Sequence, residues 1–543
     1  MGVILGIDLG TTYSCMSYVD KDGIVRVIDN IEGEQTTPSV VYFDPDGSAV
    51  VGSTAKAEGG MHPECIVERV KNFMGDPDYK CYVNGNEYSA EGVSNLILQK
   101  LVSDAEQTLG EEIGGAVITI PGYFGVEAKR STVYAAQRVV LNNGNNLKIY
   151  QVLAEPIAAA IAYCNYCNED MDKTVLMYDL GGATFDCTVM KITNNSEGLT
   201  TRVITVGGNH LLGGKDWDAA LTSLVIQKYC AATGCDIDEM KNDVELNAWF
   251  SENIEKAKKN LTSRDSTSLT VNYDGKKERI EVTRSEFNEA TTELLDQTIF
   301  LINDMLEKKG LNMMSDIDEI ILVGGSTYMP QVTERLTVEY NKVISSYEPN
   351  KAVAMGAALL AATLNTSDDM ETISFGHQGN DDKEKSKLTI GDTNFGTIYD
   401  VWAEYNYGII LEIGVTEETV ILINSGDSLP KKVGCGQKGV DVFYRKTSND
   451  NMVSITVVKC KFENYENEYA DIKIKFRKFI ADKTPLEIEL FVDASVSTNE
   501  NHELHDKLVV TNKLNKETFE TIINWRKRAY VKGSNPTKFN FDF

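Results

Sequence analysis

Two hydrophobic periods divide the chain. From residue 1 to residue 365, short apolar runs that stop at glycine, such as VLMYDLGG and ILVGGSTYMP, alternate with helical segments such as SNLILQKLVSDAEQTLG. After residue 400, apolar side chains recur at every second position in short runs such as YGIILEI, ETVILIN and PLEIELFVD. A period of 3.6 residues indicates amphipathic helices, and a period of two indicates strands with one buried face. The pattern predicts an α/β domain followed by an all-β sandwich.

The domain boundaries follow from changes in composition. Residues 366–399 are polar and acidic, as in QGNDDKEKSK, which is typical of a linker rather than of a packed domain. We therefore expect the α/β domain over residues 1–365, the β-sandwich over residues 400–512 and a short basic tail over residues 513–543. Within the tail, NKETFETIINWRKRAYV at 515–531 has helical character, so we expect one helix there.

Composition and charge narrow the function classes. At 543 residues the chain exceeds the roughly 250–300 residues at which a single core stops growing, so at least two domains are expected. The net charge of −28 argues against nucleic acid or an anionic membrane as a partner, because such surfaces are bound through lysine and arginine. The longest apolar run, AVAMGAALLAATL, falls short of the ~18 residues of a membrane span, and the N-terminus lacks the basic segment of a signal peptide. We expect a cytoplasmic protein whose ten cysteines are reduced.

One turn motif occurs twice in the sequence, as DLGTTYS at 8–14 and as DLGGATFD at 179–186. Each copy follows an apolar run and places an aspartate before a glycine turn whose backbone N–H groups can point at an anion. If the two turns face each other, they clasp a polyphosphate and bring Asp8 and Asp179 together, where Mg²⁺ would be held mostly through water. Taken singly, each turn is more often a plain hairpin. The segment GCGQKG at 434–439 matches a dinucleotide motif, but a strand pattern follows it, so we do not expect a dinucleotide site there.

A series of motifs carries a family resemblance over most of the chain. GIDLGTTYS, VITIPGYFG, LAEPIAAAIAY, YDLGGATFD, GGKDWD, IEKAKKNL, ILVGGSTYMP and AVAMGAA occur in the order seen in the seventy-kilodalton heat-shock chaperones, a branch of the actin-like ATPase superfamily. The resemblance implies a two-lobed ATPase domain with ATP or ADP, Mg²⁺ and, as a further candidate, K⁺ in its central cleft. It also implies a β-sandwich that binds unfolded or extended polypeptide, with a J-domain co-chaperone and a nucleotide exchange factor as candidate partners.

The resemblance assigns roles to individual residues. Lys71 matches the lysine that reaches the γ-phosphate and the attacking water, where a positive charge stabilises the transferred phosphoryl group. Glu155 matches the acid that helps to hold metal-bound waters beside Asp8 and Asp179, while Thr184 and Asp186 lie close to the reacting end. The remaining implied contacts are those of the phosphate turns and the nucleoside, namely Gly10, Thr11, Thr12, Tyr13, Gly181, Gly182, Ala183, Gly213, Gly214, Glu255, Lys258, Lys259, Thr262, Gly324, Gly325, Ser326, Tyr328 and Asn350.

The chain also departs from the family pattern. Ala183 replaces a third glycine, which is harmless only if its φ is negative. Tyr328 and Lys259 occupy the positions of two arginines that sandwich adenine, so we expect one aromatic and one ammonium platform. The linker is polar where the family has leucines, and too few residues follow the last strand for the family's helical lid, so we expect a lidless variant with weakened interdomain coupling.

The expected function is that of an ATP-dependent chaperone that hydrolyses ATP to control the binding of polypeptide. Two alternatives stay open. One is a nucleotide-binding scaffold or an exchange factor for another chaperone, with weak or no ATPase activity. The other is a sugar or glycerol kinase of the same superfamily, which the β domain argues against.

Overall fold

The computed structural model describes residues 2–195 and 198–364, and beyond them the backbone of strands between residues 401 and 527. The chain divides into two compact units, residues 1–394 and residues 395–543. The linker predicted over 366–399 lies outside the described residues.

The first lobe of the N-terminal unit is built on a mixed sheet of strand order β11-β10-β1-β2-β3, with β4 paired to β2. A small sheet, β6-β5-β7, and a hairpin, β8-β9, lie beside it in the chain. The strands are β1 Val3–Asp8, β2 Tyr13–Val19, β3 Val25–Val27, β4 Thr36–Pro38, β5 Val40–Phe43, β6 Ala49–Val51, β7 Ile66–Glu68, β8 Cys81–Val83, β9 Asn86–Tyr88, β10 Ile113–Ile120 and β11 Ile149–Ala154. The helices of this lobe are α1 Ser53–Met61, α2 Ala90–Leu109 and α3 Val126–Gln137.

The second lobe is built on a sheet of order β14-β13-β12-β17-β18, with a separate hairpin, β15-β16. Helix α4, Glu155–Cys167, leads into it, and helix α12, Ala352–Leu364, follows it. Its strands are β12 Met171–Leu180, β13 Phe185–Asn195, β14 Gly198–Asn209, β15 Ser266–Tyr273, β16 Lys276–Thr283, β17 Glu319–Val323 and β18 Val343–Ser346. Its helices are α5 Gly214–Thr233, α6 Ile237–Asn242, α7 Val244–Ser263, α8 Arg284–Ala290, α9 Thr292–Lys309, α10 Met313–Asp316 and α11 Pro330–Tyr340.

The two large sheets repeat one topology. In the first, β1 pairs antiparallel with β2 and parallel with β10; in the second, β12 pairs antiparallel with β13 and parallel with β17. The repeated turns of the sequence are therefore equivalent turns, each joining the central strand of its sheet to the antiparallel neighbour. Each lobe has its own apolar core, formed by residues such as Leu5, Val41 and Leu101 in the first lobe and Tyr178, Trp217 and Phe287 in the second.

Helices α4 and α12 pack on each other, and α12 also packs on β1, β2 and β10. Residues 352–361 of α12 are all buried, as expected for a helix that is apolar on every side. The contacts are close because glycine stands at the crossing points. A Cβ on Gly356 would lie 1.8 Å from the carbonyl oxygen of Ala158, and one on Gly6 would lie 2.2 Å from the backbone nitrogen of Ala358. Among the described residues, no helix is both long and apolar enough to cross a membrane.

The C-terminal unit consists of antiparallel strands in the part that the structure describes. Two five-stranded sheets have the orders β21-β20-β25-β26-β30 and β23-β27-β28-β29, the latter with β24 on β27, and β19 pairs with β22. The strands are β19 Val401–Trp402, β20 Asn406–Ile413, β21 Thr416–Ile423, β22 Ser428–Leu429, β23 Lys431–Cys435, β24 Val442–Phe443, β25 Met452–Cys460, β26 Asn467–Lys475, β27 Pro485–Val492, β28 Lys507–Asn512, β29 Thr518–Ile522 and β30 Arg526–Lys527.

The helix predicted over 515–531 is wrong for the residues described there. Strands β29 and β30 lie within this segment, at 518–522 and 526–527, and β29 pairs with β28 along its length. The sequence TFETI alternates and is rich in β-branched and aromatic residues, which favour a strand once a partner strand is present.

The packing of α12 makes a stability prediction. We expect Gly356→Ala to destabilise the N-terminal unit by about 1–3 kcal/mol, because the added methyl group overlaps the backbone of α4. Thermal unfolding of the full chain measures the effect. Gly92→Ala in α2 is the matched control, since the nearest atom to its added Cβ is 3.5 Å away and a helical alanine is favoured over glycine. Equal unfolding temperatures for Gly356→Ala and the wild type would contradict this account of the packing.

Candidate active site

A cavity of about 460 Å³ lies where the two repeated turns meet, within the roughly 300–1,000 Å³ of ligand sites. Both lobes contribute to its walls. The predicted site residues on the walls are Asp8, Gly10, Thr11, Thr12, Tyr13, Lys71, Glu155, Asp179, Gly181, Gly182, Thr184, Gly214, Glu255, Lys258, Lys259, Gly324, Gly325, Ser326, Tyr328 and Asn350. The structure thus brings most of the predicted residues to one place.

The two turns touch at their tips. A Cβ on Gly182 would lie 2.6 Å from Oγ1 of Thr12, so only glycine permits this approach. Within the second turn, the N–H of Gly181 donates to the carbonyl oxygen of Thr184 at 3.0 Å. Oγ1 of Thr12 is buried and has no hydrogen-bond partner within the protein. A buried polar atom without a partner is costly, so this hydroxyl fits a site that is completed by a polar ligand.

Ala183 meets the condition stated in the sequence analysis, namely that its φ be negative. It is buried and is not among the residues with positive φ. It lies behind the cavity wall, against Gly213, where an added Cβ would come within 2.5 Å of the Ala183 backbone. Residue 213 therefore has to be a glycine, because any Cβ there would overlap the Ala183 backbone.

A single lysine stands among four carboxylates at one end of the cavity. Lys71 lies in a 3₁₀ turn, Val70–Phe73, and its Nζ is 2.5 Å from Oε1 of Glu155. Lys71 is buried and Glu155 is partly buried, with exposed side-chain fractions of 6% and 14%. The Thr119 hydroxyl donates to Oδ1 of Asp8 at 3.2 Å. Glu155 begins α4, so the helix places its carboxylate at the cleft.

The aspartates of this cluster have raised pKa values. Enclosure by protein and then the charge of Glu155 raise the pKa of Asp8 to about 7 and that of Asp186 to about 8, although Lys71 opposes both shifts. Enclosure and the charges of Glu155, Asp186 and Asp8 also raise the pKa of Asp179 well above its usual range. One ammonium group does not balance so many carboxylates.

This donor set fits Mg²⁺. Carboxylate oxygens are the ligands that a hard divalent cation prefers, and such an ion would supply the missing positive charge. Asp8, Asp179 and Glu155 would hold it. In the described part of the chain, no three His, Cys, Asp or Glu side chains are arranged to bind an ion directly, so the fit is to an ion held largely through its waters.

Another part of the cavity wall is built from α5, α7 and the loop after β17. Nζ of Lys258 donates to the carbonyl oxygen of Gly214 at 2.8 Å and pairs with Asp218 at 2.9 Å. The hydroxyl of Ser326 donates to the carbonyl oxygen of Gly181 at 2.9 Å. Gly324 has a φ of 84°, and a Cβ there would lie 2.5 Å from Oδ1 of Asp179, so this position requires glycine.

Glu255 joins the two lobes at this part of the cavity wall. The hydroxyl of Tyr13 donates to its carboxylate at 2.7 Å, Nζ of Lys56 lies 2.5 Å from it, and Nζ of Lys259 lies 3.0 Å from it. Both ammonium groups are 5.4 Å from the centre of the Tyr13 ring. Although enclosure opposes it, these two lysines lower the pKa of Glu255 to about 2. Lys56 was not predicted, and its sequence GSTAK offers no chemical signal.

Tyr328 and Lys259, the two predicted adenine platforms, lie on the wall of the same cavity. Tyr328 is 47% exposed, and its hydroxyl bonds to Oδ1 of Asn350 at 3.0 Å, which fixes the ring at the rim. Lys259 lies on the wall formed by α7. The prediction that adenine binds between them stays a prediction.

Some predicted residues lie elsewhere. The hydroxyl of Thr262 donates to the carbonyl oxygen of Lys258 at 3.5 Å, and Thr262 is not on the wall of the main cavity. Asp186 lines an adjoining cavity of about 160 Å³ with Glu155, Asp179 and His210. The sequence analysis missed Glu68, Arg69 and Lys215, which line the main cavity. Lys215 lies inside the recognised motif GGKDWD, and Glu68 and Arg69 lie shortly before Lys71, but the sequence assigned none of the three a role.

Two α/β lobes of repeated topology, with acidic turns that meet over a cavity, define the class of actin-like ATPase domains. The family model for Hsp70 protein matches residues 4–376. Because this match covers more than half of the chain, the protein belongs to the Hsp70 family, and the resemblance seen in the sequence is confirmed. Hsp70 proteins are chaperones with ATPase activity.

The raised pKa values predict how stability changes with pH. Unfolding restores the ordinary carboxyl pKa, so between about pH 4 and pH 8 the unfolded chain binds fewer protons than the folded one. The free energy of unfolding of the chain without nucleotide and Mg²⁺ should therefore fall as pH rises through this window, by up to about 1.4 kcal/mol per pH unit for each raised group.

Urea unfolding of the full chain in EDTA at pH 5.5–8 tests this prediction. Asp186→Asn should flatten the pH dependence, because it removes one of the titrating groups. Asp172→Asn is the control, since Asp172 is an exposed surface residue paired with Lys191. A stability that rises over this pH range, or an unchanged slope in Asp186→Asn, would contradict the assigned shifts.

Proposed function

We propose that this protein is an ATP-dependent chaperone of the Hsp70 type, which hydrolyses ATP in the cleft and thereby controls the binding of polypeptide. The observation that carries the proposal is the buried Lys71–Glu155 ion pair among three aspartates, at the point where two anion-binding turns meet. Phosphoryl transfer mainly requires positioning of the reactants and compensation of negative charge, and these residues can supply both.

The phosphates bind between the two turns. Backbone N–H groups of Thr11, Thr12 and Gly182 donate to phosphate oxygens, and the free hydroxyl of Thr12 adds a donor. Mg²⁺, when bound, supplies positive charge against the phosphate oxygens. The residues that would hold it are Asp8, Asp179 and Glu155.

Lys71 stabilises the charge that develops on the transferred phosphoryl group. Its ammonium is fixed by Glu155, which itself is fixed at the first turn of α4. A charge that is already in position needs no reorganisation at the moment of reaction, and this is the usual source of large rate effects. Thr184 and Asp186 lie beside it and orient the water that attacks.

The nucleoside binds toward α7 and the loop after β17. Gly214, Lys258 and Glu255 surround the ribose, and Tyr328 and Lys259 cover the two faces of adenine. Ser326 closes the floor through its bond to Gly181. K⁺ is a further candidate ion for the phosphate end.

The C-terminal strands form a β-sandwich that binds unfolded or extended polypeptide. The family membership and the antiparallel sheets support this part of the proposal. A J-domain co-chaperone and a nucleotide exchange factor are its expected partners, and the cytoplasm is its expected location. The net charge of −28 argues against nucleic acid as a partner.

A scaffold or exchange factor without hydrolysis is the other hypothesis. The described residues do not favour it, because Lys71, Glu155, Asp8 and Asp179 all lie on the wall of the cavity. Single-turnover ATP hydrolysis with and without an unfolded peptide separates the two. The chaperone requires hydrolysis whose rate changes with peptide, and binding of ATP without hydrolysis would support the scaffold.

Removal of Lys71 tests the catalytic assignment. Lys71→Ala should lower kcat for ATP hydrolysis by about 10²-fold or more, because the missing charge acts on the transition state. The dissociation constant of ATP should change little, because the turns supply most of the phosphate contacts. Lys191→Ala on the surface of β13 is the control. Equal kcat in Lys71→Ala and the wild type would remove Lys71 from the mechanism.

The rim residue Tyr328 tests the adenine site. Tyr328→Ala should weaken ATP binding by about 1–2 kcal/mol, whereas Tyr328→Phe keeps the ring face and should be nearly neutral. Isothermal titration with ATP measures both. If Tyr328→Ala binds ATP as the wild type does, adenine does not stack on this ring.

A further inference from the structure

The two lobes are joined across the cavity by charged contacts at more than one place. One contact is the Glu255 network already described. A second, on another part of the cavity wall, joins Glu68 at the end of β7 to Lys215 near the start of α5. Lys215 lies within the motif GGKDWD, but the sequence did not link it to Glu68, which is 147 residues away in the chain.

Each partner of the Glu68–Lys215 pair is held in its own lobe by further hydrogen bonds. Nζ of Lys215 is 2.6 Å from Oε1 of Glu68, and the same oxygen accepts a hydrogen bond from Nε of Arg69 at 3.1 Å. The backbone N–H of Lys215 donates to the carbonyl oxygen of Gly182 at 2.8 Å, so its main chain is attached to the second phosphate turn. Glu68 pairs with Val40 in the small sheet of the first lobe. A movement that separates the lobes must therefore break this ion pair.

The pair is partly exposed to solvent, so its expected contribution to holding the lobes together is modest. The exposed fractions of the two side chains are 26% for Lys215 and 41% for Glu68. Enclosure lowers the pKa of Lys215, and Glu68 opposes that shift, so the ammonium depends on its partner. Both residues and Arg69 lie on the wall of the main cavity, so a separation of the lobes that breaks the pair would also open this cavity.

We propose that the Glu68–Lys215 ion pair is a latch that holds the cleft closed over a bound nucleotide and so sets the rate of nucleotide release. The identity of the ligand rests on the proposed function. The latch itself is a contact between the two lobes, so it can be tested independently on the nucleotide-free chain. Arg69 belongs to it as a second cation that keeps the Glu68 carboxylate turned toward Lys215.

A direct phosphate contact by Lys215 makes the opposite prediction for Glu68. If Lys215 bound a phosphate, Glu68 would compete with the nucleotide, and its removal would slow nucleotide release. If the pair is a latch, removal of either partner speeds release. The sign of the effect of Glu68→Gln therefore decides between the two.

Stopped-flow release of N-methylanthraniloyl-ADP from the full chain is the first experiment. Glu68→Gln and Lys215→Met should each raise the dissociation rate by about two- to five-fold, the range of a partly exposed ion pair. The double variant should release no faster than the single ones, because the same contact is lost. Lys228→Met is the matched control: Lys228 lies on the same helix and pairs with Glu286 at 2.6 Å with similar exposure, but within the second lobe. Unchanged or slower release from Glu68→Gln would overturn the latch.

Hydrogen exchange of the nucleotide-free full chain is the second experiment. In Glu68→Gln, peptides that cover residues 66–71 and 213–217 should exchange about two- to five-fold faster than in the wild type, while Lys228→Met should leave both peptides unchanged. If the wild type binds no adenine nucleotide, the proposed function fails, and the exchange rates still decide the latch. Equal exchange in Glu68→Gln and the wild type would contradict it.

Discussion

The arrangement of the cleft depends on the ion pair between Lys71 and Glu155 and on the three aspartates around it. Like charges at this density do not stay together unless the backbone forces them to, and the fold does so with equivalent turns of two equivalent sheets. The turns bring Asp8 and Asp179 to one end of the cavity, and α4 brings Glu155. Lys71 alone offsets their repulsion, so the cluster is arranged for a ligand that carries additional positive charge.

Much of this was predictable from local patterns. The period of hydrophobic residues predicted the α/β unit, and the repeated acid and glycine turn predicted the meeting of Asp8 and Asp179. Ala183 was correctly tied to a negative φ. These inferences succeeded because each rests on neighbouring residues, whose backbone preferences are visible in the sequence.

The features of the site and fold that were not predicted depend on contacts between residues far apart in the sequence. Glu68 and Lys215 carry no mark of their partnership, because an ion pair between lobes is decided by how the lobes close. Lys56 was missed for the same reason. Thr262 was expected at the cavity, but its side chain bonds to its own helix. The helix expected over 515–531 failed because TFETI can serve either structure until strand β28 is present beside it.

The unpartnered hydroxyl of Thr12 has a wider consequence. Together with the crowded carboxylates, it makes the cleft a locally frustrated region, where the interactions within the chain are not mutually satisfied. The apolar cores of the two lobes supply the stability that offsets these unfavourable interactions in the cleft. A ligand that pairs with these groups would therefore stabilise the folded chain relative to the unfolded one, so that its binding energy adds to the stability of the fold.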